Sequence, residues 1–239
     1  MKYLELTFAD PAANLACDEA LLELFEAEAR DENLLRIWQP EKFFVVLGHA
    51  NRSAEEVDLA VCAAGRIPIL RRVSGGGTVL QGPGCLNYSL ILNCKALEVR
   101  SIASTFRYVL EHHRNWIERS VGVKVSVEGV SDLAIAGRKF SGNAQYRKSR
   151  YALVHGSFLL NFDLAFIHRC LRLPVKQPAY RHNRPHLEFV TNLDLRGGRL
   201  GDILREGWGA DQAFNDLPMA EVKLLVKNRY GREEWSKKF

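Results

Sequence analysis

The sequence predicts an α+β fold in which helices flank a mixed, largely antiparallel sheet. Two observations carry that expectation. Helical periodicity is confined to two long segments, 10–29 and 101–120, with shorter stretches near 53–65, after 163 and after 218. Between them the apolar residues fall in short runs bounded by glycine, proline or polar turns, and these runs come in groups. Grouped strands argue against a regular βαβ array.

Each element has a local reason. Asp10-Pro11 supplies an N-cap and a first-turn proline. Leu15, Leu21, Leu22, Leu24 and Phe25 then fall on one side of a helix, with Asp18, Glu19, Glu23, Glu26 and Glu28 on the other. Runs 34–38 and 43–47 read as strands separated by Gln39-Pro40-Glu41. Ser53-Ala54-Glu55-Glu56 has capping-box spacing and opens a short helix ending near Gly65. Strands 67–70, 79–80 and 86–92 surround a glycine-rich centre, and Ile102, Phe106, Val109, Leu110, Trp116 and Ile117 mark the second long helix. Stretch 121–127 alternates as a strand, 133–135 and 151–160 continue the β pattern, and 218–227 closes the chain as a helix. No repeat or linker interrupts it, so residues 1–239 are expected to form one domain.

Composition narrows the classes. With 239 residues, 47% hydrophobic and 26% charged, the chain is not disordered, collagen-like or a disulfide scaffold. No apolar run approaches the roughly 18 residues that cross a bilayer, and Met1-Lys2-Tyr3-Leu4-Glu5 does not open a secretory leader. A soluble, cytoplasmic protein is expected. Cysteines 17, 62, 85, 94 and 170 form an odd set without Cys-x-x-Cys or zinc-ligand spacing, which suits unpaired thiols in a reducing compartment. A net charge of +5 admits nucleic acid, a membrane surface or an acidic protein as partner.

Three segments carry chemistry. Arg71-Arg72-Val73-Ser74-Gly75-Gly76-Gly77-Thr78-Val79-Leu80 places three glycines between strands, which is costly unless close backbone approach or positive φ is required. Such a loop can cradle a phosphate, with the arginines adding fixed charge; a hairpin turn with incidental arginines is the plainer reading. It is neither a P-loop nor a dinucleotide fingerprint. Gly137-Arg138-Lys139-Phe140-Ser141-Gly142-Asn143-Ala144-Gln145 sets a lysine between a strand and a Ser-Gly-Asn-Ala turn, where it can stabilise charge developing in acyl transfer. A solvated basic face is the alternative for 138–150, whose five basic residues include no acid among them. His155-Gly156-Ser157 lies in an apolar strand, as either a hydrogen-bonded core histidine or an acid–base group.

Taken together, Arg71-Arg72-x-Ser-Gly-Gly-Gly-Thr-Val, Asn87-Tyr88-Ser89, Asp132-Leu133, Gly137-Arg138-Lys139-x-Ser-Gly-Asn-Ala-Gln and His155-Gly156-Ser157 resemble, in order and spacing, the lipoate-protein ligase A family. The likeness runs from about 34 to 163 and implies the biotin/lipoyl protein ligase catalytic fold. It further implies that ATP and Mg²⁺ activate lipoate or octanoate to an acyl-adenylate. The acyl group then passes to a lysine of a lipoyl carrier domain, either of a 2-oxoacid dehydrogenase or of the glycine-cleavage H protein. By the same resemblance Lys139 is the catalytic lysine. The nucleotide is assigned to Arg71, Arg72, Ser74, Gly75, Gly76, Gly77, Thr78, Val79 and Leu80, together with Ser141, Asn143 and Ala144. Trp38, Val46, Gly48, Tyr88, His155 and Gly156 are candidates for the acyl tunnel, since each buried methylene contributes about 0.8 kcal/mol. Plain core packing is the alternative for Trp38 and Val46.

The sequence departs from the family in three places. Gln81-Gly82 stands where many members carry His-Asp, which puts Mg²⁺ placement in question. Cys85 raises the alternative of an ATP-independent octanoyl- or lipoyl-transferase working through a thioester, against the ordinary role of a buried packing residue. A non-catalytic lipoyl-domain binder is the third reading. Only some 20 residues follow Pro218, so the accessory domain of larger ligases is expected to be absent or supplied by a separate subunit. The basic tail 222–239 suits either an acidic carrier or solvent. No helix-turn-helix precedes the motifs, so neither nucleic acid nor membrane is expected as partner.

Overall fold

Eight strands pair in the order β11-β1-β2-β6-β10-β9-β8-β7, and three more form a small sheet in the order β4-β3-β5. The computed structural model describes residues 1–195 and 199–239. The large sheet contains β1 (Lys2–Glu5), β2 (Leu34–Trp38), β6 (Cys85–Asn93) and β7 (Ser126–Glu128), with β8 (Asp132–Ile135), β9 (Arg138–Arg147), β10 (Tyr151–Leu159) and β11 (Gln212–Ala213). The small sheet contains β3 (Phe44–Leu47), β4 (Ile69–Arg71) and β5 (Val79–Gln81). Among the described strands, only β1 with its two neighbours and β3 with β4 pair in parallel. The α+β class with a mostly antiparallel sheet is therefore observed.

Alternation along the central strands sets up two faces. Leu35, Ile37, Leu86, Tyr88, Leu90, Val154 and Phe158 pack under α4 (Ile102–Val121) and α7 (Leu200–Gly207). Leu34, Trp38, Ile91, Tyr151 and Leu153 face α1 (Pro11–Glu28) and α8 (Met219–Leu225). Arg36, Asn87, Ser89, His155 and Ser157 occupy intervening positions of this second set and are nearly all buried polar groups. A third cluster joins the small sheet to α3 (Leu59–Ala64), α5 (Leu164–Cys170) and α6 (His186–Phe189).

Helix ends follow the expected chemistry. Asp10 accepts from Ala12 N at the head of α1, and Ser101 closes a capping box with Ser104 at the head of α4. Gly122, at φ +69°, ends α4.

Several expectations are corrected. The helix opened by Ser53 is a single turn, α2 (Ser53–Glu56), without a side-chain cap; α3 begins separately, capped by Asp58 through Val61 N. Stretch 121–127 is not one strand, because α4 continues to Val121 and pairing starts at Ser126. Segment Ser141–Ala144 is no turn: it lies inside the ten-residue β9, paired on both sides. Asp18 and Glu19 are buried, on a helix covered over most of its circumference. The tail is anchored along one side, where Tyr230 donates to Glu19 at 2.7 Å and α9 (Glu233–Ser236) packs against β4, while Lys223, Lys227, Arg232, Lys237 and Lys238 stay exposed. The basic face at 138–150 is likewise engaged. Arg138 and Arg147 donate to backbone carbonyls, while Lys148 and Arg150 pair with Glu23 and Glu26.

Candidate active site

A cavity of about 420 Å³ opens between α1, the small sheet, β9 and β10, and the segment 171–178. Of the predicted residues, Arg72, Gly76, Gly77, Thr78, Val79, Leu80, Lys139, Ser141, Asn143 and Ala144 line it, as do Trp38, Val46, Tyr88, His155 and Gly156. Arg71, Ser74, Gly75, Gly48 and Cys85 do not.

Lys139 reaches the cavity through a local irregularity. Between β8 and β9 the register shifts at Leu133/Ala134, so that Ala134 faces Lys139 while Leu133 faces Ser141. Phe140, between the two, turns into the core. The lysine then lies across Gly142, where an added Cβ would stand 2.6 Å from Nζ. Its Nζ is 2.7 Å from Asp132 Oδ1, and Tyr180 donates to Asp132 Oδ2 at 2.8 Å. An ammonium has three donors, so this pairing leaves capacity for a ligand.

The glycine loop is held by Arg72. Its guanidinium donates to Ser74 Oγ at 3.0 Å, Gly75 O at 2.6 Å, Gly77 O at 2.8 Å and Val46 O at 3.3 Å. Burial pushes this guanidinium down to about 10, partly offset by Glu56, which leaves it charged at neutral pH. Gly76 adopts φ +90° with Arg72 packed beside it, the conformation that requires glycine. Among the described residues, none accepts a hydrogen bond from the N–H of Gly75, Gly76 or Gly77. Such free amides beside a cation suit an anionic oxygen.

Asn143 is oriented by Tyr88, which donates to Oδ1 at 2.7 Å, while Nδ2 donates to Ser131 O at 2.7 Å. Gly156 leaves room for this pair, since a Cβ there would fall 2.0 Å from Asn143 Oδ1. Trp38 presents an indole N–H without a partner although the residue is 2% exposed. Gly48 lies behind the loop: a Cβ on it would meet Gly76 O at 2.1 Å.

Arg71 turns away from the cavity. Fully buried, it donates to Gly48 O, His49 O and Asn51 O at 2.8–3.0 Å, and to Trp235 O and Ser236 O at 3.1 and 2.8 Å. Consecutive residues of an extended chain face opposite ways, so only one of the two arginines can address a ligand. Cys85 lies opposite the lining residue Leu159 but does not itself line the cavity, and burial pushes its thiol up to about 12. All five cysteines are buried, and none lines the cavity.

Sequence reasoning gave no site role to Asp18 or Tyr180, and it named Gln81, Asn87 and Ser157 only within motifs, without a contact for any of them. Gln81 donates to Ser157 Oγ at 2.9 Å, which donates to Asn87 Oδ1 at 2.6 Å, a neutral ring in place of the family's ionisable pair. Asp18 receives Arg36 at 2.6 Å and His155 Nδ1 at 3.2 Å. Burial alone would push the Asp18 carboxyl up; Arg36 and His155 outweigh it and hold the group below its ordinary value. The missed signal was spacing: Leu15, Asp18, Leu22 and Phe25 share one helical stripe.

A family model for the lipoyl protein ligase A/B catalytic domain matches residues 10–202. The chain belongs to that family. A relative from Aeropyrum pernix, named for lipoate-protein ligase A, is 30% identical over 85% of this chain and 76% of its own. The octanoyltransferase LipM of Clostridioides difficile is 27% identical over 95% of this chain and 94% of its own. A solved structure of a bipartite lipoate protein ligase with its E2 lipoyl domain, from Thermoplasma acidophilum, superposes with TM-score 0.80 at 25% identity, covering 99% of this chain and 95% of that one. Both ligases and octanoyltransferases thus stand among this family member's relatives.

Proposed function

We propose that this protein is an ATP-dependent lipoate-protein ligase. The observation that carries the reading is the contrast inside one cavity: Lys139 lines it, as do Gly76 and Gly77 with unbonded amides, and no cysteine lines it. A thioester route needs a thiolate within reach of the acyl group; an adenylate route needs donors for a phosphate and for a developing oxyanion.

In the first step a lipoate or octanoate carboxylate attacks the α-phosphorus of ATP, forming the acyl–phosphate bond and releasing pyrophosphate. Arg72 shapes the loop whose amides would take the phosphate oxygens, and Lys139 would bridge phosphate and acyl carbonyl. In the second step the ε-amine of a carrier lysine attacks the carbonyl carbon. The acyl C–O bond breaks, AMP leaves, and the amine proton passes to the departing phosphate or solvent. Lys139 stabilises the oxyanion in this step, a contribution that exists only while charge builds.

Mg²⁺ finds no dedicated cage here: among the described residues no group of three His, Cys, Asp or Glu is placed to hold a metal ion, and Asp132 is engaged by Lys139 and Tyr180. No step is routed through it; the ion would arrive on the nucleotide's phosphates. The carrier would be a lipoyl domain, residues 1–239 would act as one catalytic domain, and a separate accessory subunit could complete the enzyme, as a bipartite ligase is known in Thermoplasma acidophilum. Five unpaired thiols suit a reducing cytoplasm; no described helix is long and apolar enough to cross a membrane.

The test is lipoylation of an apo lipoyl domain by the pure protein with lipoate and Mg²⁺, with and without ATP. Transfer that requires ATP and yields AMP is expected. Transfer from an octanoyl carrier protein without ATP would replace this reading with the transferase one.

A further inference from the structure

One chain of buried hydrogen bonds runs from α1 to the glycine loop, and its polarity can be worked out group by group. Arg72 Nε is a donor only, so Ser74 Oγ accepts from it at 3.0 Å. The Ser74 hydroxyl hydrogen is then free to go to His155 Nε2, 2.6 Å away. His155 Nδ1 faces Asp18 Oδ2 at 3.2 Å, and a hydrogen on Nδ1 directed at that carboxylate completes the relay. Arg36 occupies the other Asp18 oxygen at 2.6 Å and is itself anchored on Asn14 and on Leu6 O.

The order Ser–His–Asp is that of a hydrolase triad, but the chemistry is excluded. Ser74 is fully buried, does not line the cavity, and already accepts from Arg72. What remains at the far end is mechanical: the same guanidinium that Ser74 fixes grips Gly75 O and Gly77 O.

We propose that Asp18 is a positioning residue that, through His155, Ser74 and Arg72, holds the glycine loop in the conformation that leaves its amides open to a ligand. Ser74 acts at one remove, touching no substrate. The relay stands on geometry alone; its consequence for nucleotide binding rests on the ligase reading.

The experiment uses the full chain, its Ser74→Ala and Asp18→Asn variants and the double variant. Nitrogen-15 NMR of the wild type should show a hydrogen on His155 Nδ1. The His49 amide, which donates to Ser74 O at 2.9 Å, should exchange at least tenfold faster than wild type in each single variant, and no faster in the double variant than in either single one. Amides in the middle of α4 should stay unchanged. ATP affinity, read by calorimetry, should fall at least tenfold in each single variant. A wild-type ring without a hydrogen on Nδ1, unchanged His49 exchange in either single variant, or uniform acceleration of all amides would overturn the relay. If the wild type binds no ATP, the ligase reading fails, while the tautomer and exchange results still decide the relay.

Discussion

Arg71 and Arg72 are one peptide bond apart and serve opposite regions. Arg72 works on the cavity wall, where it spends its donors on the glycine loop and leaves neighbouring amides and Lys139 with unused capacity. Arg71 works on the frame behind, where five carbonyls from the 48–51 turn and the C-terminal segment converge on it. The difference shows how to separate a recognition group from a structural one when both are buried cations. A buried polar group must be paired, so pairing does not distinguish them. What distinguishes them is whether the groups they hold are themselves saturated.

The largest expected effect is on the cavity side. Lys139→Ala should lower the transfer rate roughly a thousandfold, the scale seen when a donor to a developing oxyanion is removed, while the melting temperature moves little. Single-turnover transfer from preformed acyl-adenylate measures it. Retention of more than a tenth of the rate would move the catalytic role elsewhere.

On the frame side the pattern should reverse. Arg71→Ala leaves several buried carbonyls without donors, and each such loss costs on the order of 1–3 kcal/mol, so a stability loss of about 3 kcal/mol or more is expected from urea unfolding. Arg72→Ala should cost less stability and more ATP affinity. Equal effects of the two substitutions on ATP affinity would break the comparison.

That division was only half legible in the sequence. Periodicity and caps place α1 and α4, because Asp10-Pro11 and Ser101 stop the pattern where backbone donors need partners. Strand β9 was hidden: Ser, Gly, Asn and Ala after the lysine read as a turn, and only pairing to β10, with β8 beside it as far as Gly142, makes them extended. The resemblance assigned the nucleotide to both arginines, and the structure turns Arg71 away to the frame. Asp18 was hidden differently, as an acid counted with the polar side although its spacing from Leu15 and Leu22 sets it on the apolar stripe. In each case tertiary pairing, which one chain's local pattern does not contain, overrode composition.

Two buried histidines extend the comparison to pH. His155 is paired at both nitrogens, whereas His113 accepts from Trp208 Nε1 at 2.9 Å and leaves Nδ1 with no partner. Burial, with a smaller contribution from His112, pushes His113 down to about 3 from 6.5. Between those values the unfolded chain binds a proton that the folded one refuses. Stability should therefore fall as pH drops below 6.5, by up to about 1.4 kcal/mol per pH unit from this group. His113→Gln, which keeps an acceptor for Trp208, should flatten that slope in urea titrations run from pH 7 to 4. An unchanged slope would mean that other groups set the acid limb.

The smallest effect is expected at Cys85, and it bears most directly on which family chemistry operates. The LipM relative keeps a transferase reading in view, and a thioester enzyme needs a thiolate. With its thiol pushed up to about 12 by burial, Cys85 stays protonated at neutral pH, and the side chain does not line the cavity. Cys85→Ala should therefore remove only packing, about 1 kcal/mol, and leave ATP-dependent lipoylation within about twofold. A hundredfold loss of transfer in a folded Cys85→Ala protein would require the thiol to reach the acyl group by a movement of β6, and would place this cysteine on the cavity side of the comparison, not in the frame.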